Sequence, residues 1–226
     1  HQLNVLTGNT SWLTTKIHKK YIQKFNQCWI PDVEKSQNLS GKLGHPEKMM
    51  NTIHYIGPLS RIEKKTLPIK YDIMVLLSGP EPQRTLLEKK LIKELENSSK
   101  EILFVKGIVE SQQQIEQVNS ITYYNFMNSE ELSTAFNESE FVVCRSGYTT
   151  VMDLAKLEKK AFFIPTPGQY EQEYLAKKFK SEIVAPSCKQ EKFKASKLEK
   201  IHLYKGFKDF SIDPNWNELF SLFQSK

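Results

Sequence analysis

Three short stretches carry the residue types from which a site for a phosphorylated, hydroxyl-rich ligand can be built. Cys144-Arg145-Ser146-Gly147-Tyr148-Thr149-Thr150-Val151-Met152-Asp153 follows an apolar, strand-like run and leads into a helix-like one. Ser146-Gly147 at such a junction turns the next amides outward. Thr149 and Thr150 open the helix with hydroxyls, and Arg145 adds a positive charge, which together make an anion-binding geometry. Asp153 stands one turn into the helix. A carboxylate there can accept both hydroxyls of a ribose, or it can simply complement the helix dipole, worth roughly 0.3–1 kcal/mol. These residues alone leave both readings open.

The second stretch, Ser78-Gly79-Pro80-Glu81-Pro82-Gln83-Arg84, also joins an apolar run to a helical pattern. Ser78 and Gly79 sit where a backbone nest can hold phosphate. The stretch is neither a Walker loop nor GxGxxG, and its prolines remove amide donors, so by itself it also reads as an ordinary turn. In the third, Pro165-Thr166-Pro167-Gly168-Gln169-Tyr170-Glu171-Gln172-Glu173, Gln172 and Glu173 at a helix start can bind sugar hydroxyls or serve as common polar first-turn residues. Glycine is scarce, 9 in 226 residues, where average usage of about 7% would supply more. A glycine at a strand end is therefore more telling than usual.

The elements that must position these loops show in the hydrophobic pattern. Ile73-Met74-Val75-Leu76-Leu77 is a continuous apolar run, as a strand buried on both faces requires. Leucines at helical spacing follow over Thr85–Leu95, with Pro82 near the helix start. Strands are expected at Ile102–Val105, Ile121–Phe126, Phe141–Cys144 and Ala161–Pro165. Helices are expected after Ser129, over Thr149–Leu157 and from about Gln169 to Lys180, and Ile183-Val184-Ala185 is expected to close the sheet. Strand alternating with helix at this spacing predicts right-handed crossovers and a doubly wound, Rossmann-like parallel sheet, whose ligands bind at the carboxyl ends of the strands.

The first sixty residues differ. Residues 11–27 read as a helix carrying Trp12, Ile17, Tyr21 and Phe25, Cys28–Pro31 and His54–Pro58 as strands, and Glu34–Asn51 as a polar surface loop. One helix and two short strands cannot bury an independent core. The expected division is therefore a partial α/β segment over residues 1–61, read as the remnant of an N-terminal, acceptor-side domain, and a ligand-binding domain over 62–226.

Composition excludes other classes. With 39% hydrophobic and 11% aromatic residues, the chain is not disordered, and no apolar run approaches the ~20 residues that span a bilayer. Lys+Arg 32 against Asp+Glu 26, a net charge of +6, favours anionic partners. The basic pairs, such as Lys19-Lys20 and Lys177-Lys178, are spread along helical faces as a solvated surface would have them. No aromatic-basic motif or recognition helix suggests nucleic acid. The three cysteines, Cys28, Cys144 and Cys188, fit neither a zinc spacing nor a disulfide framework, so a reducing cytoplasm is expected. No secretory leader is visible, and the chain opens at His1 rather than Met, which suggests a trimmed start.

The segment Phe141–Ala176 resembles the donor-binding half of a GT-B glycosyltransferase of the family-28 type, a family that includes the N-acetylglucosaminyltransferase of peptidoglycan lipid-intermediate synthesis. Its fingerprint is arginine-serine-glycine, a helix with an acidic residue, a strand ending in proline, and a glutamine-rich helix start. Arg145-Ser146-Gly147, Asp153, Pro165 and Gln172-Glu173 match it. The resemblance implies that Asp153 binds a ribose diol and that Gln172 and Glu173 bind the donor sugar. It also implies that Met127, in the loop beginning Phe126-Met127, reads uracil through main-chain atoms. His1-Gln2-Leu3-Asn4 resembles the family's opening histidine loop, with Gln2 where the family has an acidic residue. Ile56-Gly57-Pro58-Leu59-Ser60-Arg61 resembles its interdomain segment, placing Arg61 near the nucleotide. The family's loop after the first strand of this domain is rich in glycine and serine, unlike Ser78–Pro82.

The implied activity is inverting, metal-independent transfer of a hexose, an N-acetylhexosamine by this resemblance, from a UDP-sugar. No cofactor is implied beyond that donor, and no Asp-x-Asp metal motif appears. The acceptor, a lipid-linked or other saccharide, and the general base are expected upstream of His1, in a missing N-terminal domain or a partner chain. The isolated chain is expected to bind UDP weakly and transfer nothing, in the cytoplasm or on the inner membrane face. Two other readings use the same loops. One is a UDP-sugar 2-epimerase, which needs more acid and base groups than these loops offer. The other is a non-catalytic nucleotide-sugar-binding subunit, against which residues 1–61 speak mildly.

Overall fold

The computed structural model describes residues 3–5, 10–35, 37–46, 52–208, 210, 217 and 220. His1 and Gln2 of the opening motif lie outside them. The chain runs α1 (Ser11–Ile22), β1 (Cys28–Ile30), β2 (Ile53–Tyr55), β3 (Tyr71–Leu76), α2 (Gln83–Leu95), β4 (Ile102–Val105), β5 (Ile115–Val118), β6 (Ile121–Tyr124), α3 (Ser129–Asn137), β7 (Ser139–Cys144), α4 (Tyr148–Lys156), β8 (Lys160–Phe163) and α5 (Tyr170–Ser181). Strands β3 to β8 form one sheet in the order β5-β6-β4-β3-β7-β8, parallel except for β5. The α/β, parallel-dominated architecture expected from the sequence is the architecture found.

The apolar runs make the sheet two-sided. One face, from Met74, Leu103, Val142 and Phe163, packs against α4 and α5 through Val151, Leu154, Leu175 and Phe179. The other, from Ile73, Val75, Phe104, Val143 and Phe162, packs against Leu87, Leu91 and Leu95 of α2 and against Phe193, Leu198 and Ile201 downstream. Burial on both faces removes the period-two alternation, so these strands read as unbroken apolar runs. Helix α3 starts on a capping box in which the Asn128 side chain accepts from Glu131 N–H while the Glu131 carboxylate accepts from Asn128 N–H. Asn128, not Ser129, is therefore the cap.

The chain leaves β3 for β4 and β6 on one side and returns to β7 on the other. The carboxyl ends of β3 and β7 thus flank the topological switch point, where an open α/β sheet leaves a crevice for ligand.

The structure corrects the sequence reading of three further elements. Strand β5, an antiparallel edge, was not anticipated. Residues 183–185 do not close the sheet: Ile183 takes φ +55°, and only Ser187 forms an isolated bridge with Phe163 of β8. Helix α1 ends at Ile22, short of the expected residue 27.

Strands β1 and β2 pair in parallel over a small cluster of Leu3, Ile22, Cys28, Ile30 and Ile53. The loop between them is more than surface: Leu39 and Leu43 are buried against the α4–α5 face of the main core. Three polar contacts hold it there. Tyr148 Oη donates to Pro31 O at 2.9 Å, Lys42 N–H donates to Tyr174 Oη at 2.8 Å, and Lys178 Nζ donates to Asn38 O at 2.6 Å. Asp32, fully buried, accepts from the amides of Val33, Leu39 and Ser40 at 2.7–2.9 Å and so fixes the loop's shape. No helix among the described residues is long and apolar enough to cross a membrane.

Candidate donor site

The loops after β3, β7 and β8 meet at the switch point, and a buried arginine joins them. Arg145, 1% exposed, donates through Nη1 to the carbonyls of Ile164 and Pro165 at 3.0 and 3.1 Å. Through Nη2 it donates to Gln83 O at 2.9 Å and to Gln190 Oε1 at 2.8 Å. One guanidinium thus ties the end of β8 and the start of α2 to the end of β7. Burial lowers its pKa to about 10, which leaves it charged at neutral pH. Sequence reasoning set Arg145 beside a bound anion. The structure turns its side chain inward, onto four acceptors of its own chain.

Ser146, also buried, donates to Gln172 O at 2.8 Å. In return Gln172 Oε1 accepts from Thr166 N–H at 2.9 Å, Gln172 Nε2 donates to Gln169 Oε1 at 2.6 Å, and Glu173 Oε1 accepts from Gly168 N–H at 3.0 Å. Gln172 and Glu173 therefore shape the Pro165–Gln169 loop at the start of α5. Thr166 Oγ1 is buried without a hydrogen-bond partner among the described residues.

Open space lies around the glycines of these loops. Among the described residues, a Cβ placed on Gly147, the N-cap of α4, or on Gly168 would meet nothing within 4 Å. Gly79, at φ +105°, would meet only Thr166 Oγ1, at 3.8 Å. Ser78, Gly79 and Thr149 are exposed. The first-turn amides of α4 have no partner within the helix by geometry, and the absence of a side chain at Gly147 leaves them approachable. Gly107, by contrast, is packed: its φ is +69°, and a Cβ would fall 2.3 Å from Leu77 O. The loop after β4 thereby presses on the turn that carries Ser78 and Gly79.

Asp153 lies on α4, half-buried. Its Oδ1 accepts from Ser60 Oγ at 2.6 Å, and Oδ2 accepts nothing from a described residue. Burial raises its pKa, while the Ser60 hydrogen bond and the Arg61 charge lower it. The linker between β2 and β3 is fastened alongside: Leu59 N–H approaches Met152 Sδ at 3.4 Å, and Ile62, 1% exposed, joins the main core. Arg61 is exposed beside them. Met127 is half-buried at the end of the β6–α3 loop, against the main core and beside a groove of about 380 Å³ under α3.

The structure thus gathers Ser78, Gly79, Arg145, Ser146, Gly147, Thr149, Gln172 and Glu173 around three adjoining loops, with Asp153 and Arg61 where α4 meets the linker and Met127 further along the sheet. Sequence reasoning missed Gln83 and Gln190, which carry no motif. It also missed Ser60, although Ser60 stands within the interdomain segment that singled out Arg61.

The order of these loops can be compared with known proteins. At 23% identity over 181 residues, the chain is similar to the UDP-N-acetylglucosamine--N-acetylmuramyl-(pentapeptide) pyrophosphoryl-undecaprenol N-acetylglucosamine transferase of Haemophilus ducreyi (strain 35000HP / ATCC 700724), with 77% of this chain and 48% of that protein aligned. The transferase of the same description from Baumannia cicadellinicola subsp. Homalodisca coagulata is 23% identical over 171 residues, covering 73% of this chain and 44% of that protein. The chain spans about half the length of these curated relatives. In fold it is similar to the calicheamicin glycosyltransferase CalG4, at a TM-score of 0.56 and 8% identity over 83% of this chain and 47% of the other. Residues 83–207, more than half of the chain and including the loops after β7 and β8, match the glycosyltransferase family 28 C-terminal domain, and the chain belongs to that family.

Proposed function

We propose that this chain holds the nucleotide-sugar donor of a glycosyl transfer, a UDP-activated hexose of the N-acetylhexosamine class, and that the reaction inverts the anomeric centre without a bound metal. The observation that carries the reading is the Asp153 carboxylate, one oxygen of which accepts nothing from a described residue, on the same helix as the open N-terminus at Gly147. Six residues at 1.5 Å each separate the two by about 9 Å along the axis, a span that an extended nucleoside diphosphate covers.

In this reading the amides after Gly147 and the turn at Ser78-Gly79 receive the diphosphate. Stabilising the leaving diphosphate with fixed dipoles is the catalytic contribution such a domain makes, because charge grows there as the glycosidic bond breaks. Asp153 accepts the ribose hydroxyls, the main chain at Met127 reads the base, and Arg61 faces the nucleotide from the linker. Gln172 and Glu173 hold the loop against which the sugar lies and exchange part of their present bonding for its hydroxyls. Arg145 and Ser146 fix the loops from beneath. Deprotonation of the acceptor hydroxyl is assigned to no residue of this chain, so the 226 residues are expected to bind donor without turning it over. The names of the relatives, UDP-N-acetylglucosamine transferases, support the choice of nucleotide and sugar. They also support a lipid-linked acceptor, for which a peripheral place on the cytoplasmic membrane face is fitting.

Calorimetry with UDP, UDP-N-acetylglucosamine and GDP tests this. The expected result is binding of the two uridine ligands over GDP, and at least about tenfold weaker binding by Asp153→Ala, the loss of charge-assisted hydrogen bonds worth about 1.5–3 kcal/mol. Equal affinities for the parent and Asp153→Ala overturn the assignment.

A further inference from the structure

We infer that Ser60 is a positioning residue for the ribose: by holding Oδ1 of Asp153 it presents Oδ2 to the nucleotide and makes the site discriminate ribonucleotides from deoxyribonucleotides. This rests on the donor-site reading above and adds to it a residue from the linker.

Ser60 is itself held in place. Its Oγ accepts from Ile62 N–H at 3.0 Å, and of the two acceptors within reach of its single proton, Asp153 Oδ1 at 2.6 Å and Ile62 O at 3.4 Å, the nearer and charged one takes it. Ile62 is anchored in the main core, and Leu59 N–H lies 3.4 Å from the sulfur of Met152, the residue next to Asp153. The carboxylate therefore has one rotamer fixed from the linker. Its two oxygens are in unlike states: Oδ1 is engaged, while Oδ2 receives no hydrogen bond from a described residue although the group is half-buried. A partly desolvated carboxylate oxygen without a donor is a strong acceptor for a ligand hydroxyl. A free carboxylate would swing between rotamers and meet a ribose diol with either oxygen. A pinned one meets it in a single geometry, and that geometry is lost when a ribose hydroxyl is absent.

The test is calorimetry of UDP and of 2′-deoxy- and 3′-deoxy-UDP with the parent chain, Ser60→Ala, Ser60→Thr and Asp153→Asn, each checked for a single cooperative unfolding transition well above the temperature of the measurement. Ser60→Ala is expected to weaken UDP binding by roughly tenfold, the worth of one hydrogen bond, and to leave the affinity for at least one deoxy analogue nearly unchanged, so that the ribo-to-deoxy ratio narrows. Ser60→Thr keeps the hydroxyl and is expected to restore both the affinity and the ratio. A Ser60→Ala chain that keeps the parent ratio overturns the positioning role, as does one that weakens all three ligands equally. If in those cases Asp153→Asn still weakens UDP, the donor-site reading stands without Ser60. If Asp153→Asn leaves UDP binding unchanged, or UDP does not bind at all, the donor-site reading fails and this inference falls with it.

Discussion

Arg145 Nη2 donates to the carbonyl of Gln83 at 2.9 Å, so a side chain at the end of β7 fixes the first residue of a helix 62 positions earlier in the chain. Its other nitrogen holds two consecutive carbonyls past β8. Removing the guanidinium takes the donor from four acceptors at once, one buried and three partly buried, at about 1–3 kcal/mol for each left unsatisfied. Arg145→Met is therefore expected to lose about 3 kcal/mol or more of unfolding free energy. Arg145→Lys should lose nearly as much, since an ammonium cannot reproduce the planar fork. Urea unfolding of both variants measures this, and a Lys variant as stable as the parent refutes it.

Asp153 is expected to be costly to the fold and necessary to the site. Burial raises its pKa beyond what Ser60 and Arg61 lower it, so the folded state binds the proton more tightly than the unfolded state. The stability it contributes is complete below the unfolded value, about 3.9, and is lost as pH rises through the folded value. Asp153→Asn should thus unfold at a higher temperature than the parent at pH 7, with the gap closing below about pH 4, while binding UDP less well. Melting curves at the two pH values, paired with calorimetry, separate the effects.

Gly147 offers a site where fold and ligand respond differently. Its φ of −70° is open to any residue, and a Cβ there meets nothing. Gly147→Ala should change stability by less than about 1 kcal/mol, the scale of an N-cap. UDP affinity should fall severalfold, because the methyl group enters the space in front of the α4 amides.

Gly107 should behave in the opposite way. At φ +69°, with Leu77 O only 2.3 Å from a Cβ, Gly107→Ala combines backbone strain of about 1–3 kcal/mol with a contact the loop must move to relieve. Both unfolding free energy and UDP affinity are expected to drop, since the carbonyl displaced precedes Ser78. Loss of affinity with full stability retained would contradict this account.

The alternation of strand and helix was legible because β3, β4 and β7 are buried on both faces and α2 repeats leucine on one side. Strand β5 was not: Ile115, Glu116, Gln117 and Val118 are all exposed, and the strand exists through its pairing with β6 alone. Ile183-Val184-Ala185 misled for the converse reason. Val184 and Ala185 are buried, but beneath α5 and next to a left-handed Ile183, not in a ladder. Within the site, residue types located the loops but not the direction of their side chains. An arginine beside a glycine turn reads the same whether it faces an anion or, as Arg145 does, the backbone beneath. The pairing of Ser60 with Asp153, 93 residues apart, comes from packing of the linker on α4, which no local pattern records.

Helix α4 is gripped near both ends by residues that precede the sheet, through Tyr148 to Pro31 and through Asp153 to Ser60. A short rigid rod held at two points passes a push or a twist onward instead of absorbing it. Since that rod starts at the open Gly147 turn, a displacement of the turn would be carried along α4 to Pro31 and Ser60, far ahead of it in the chain.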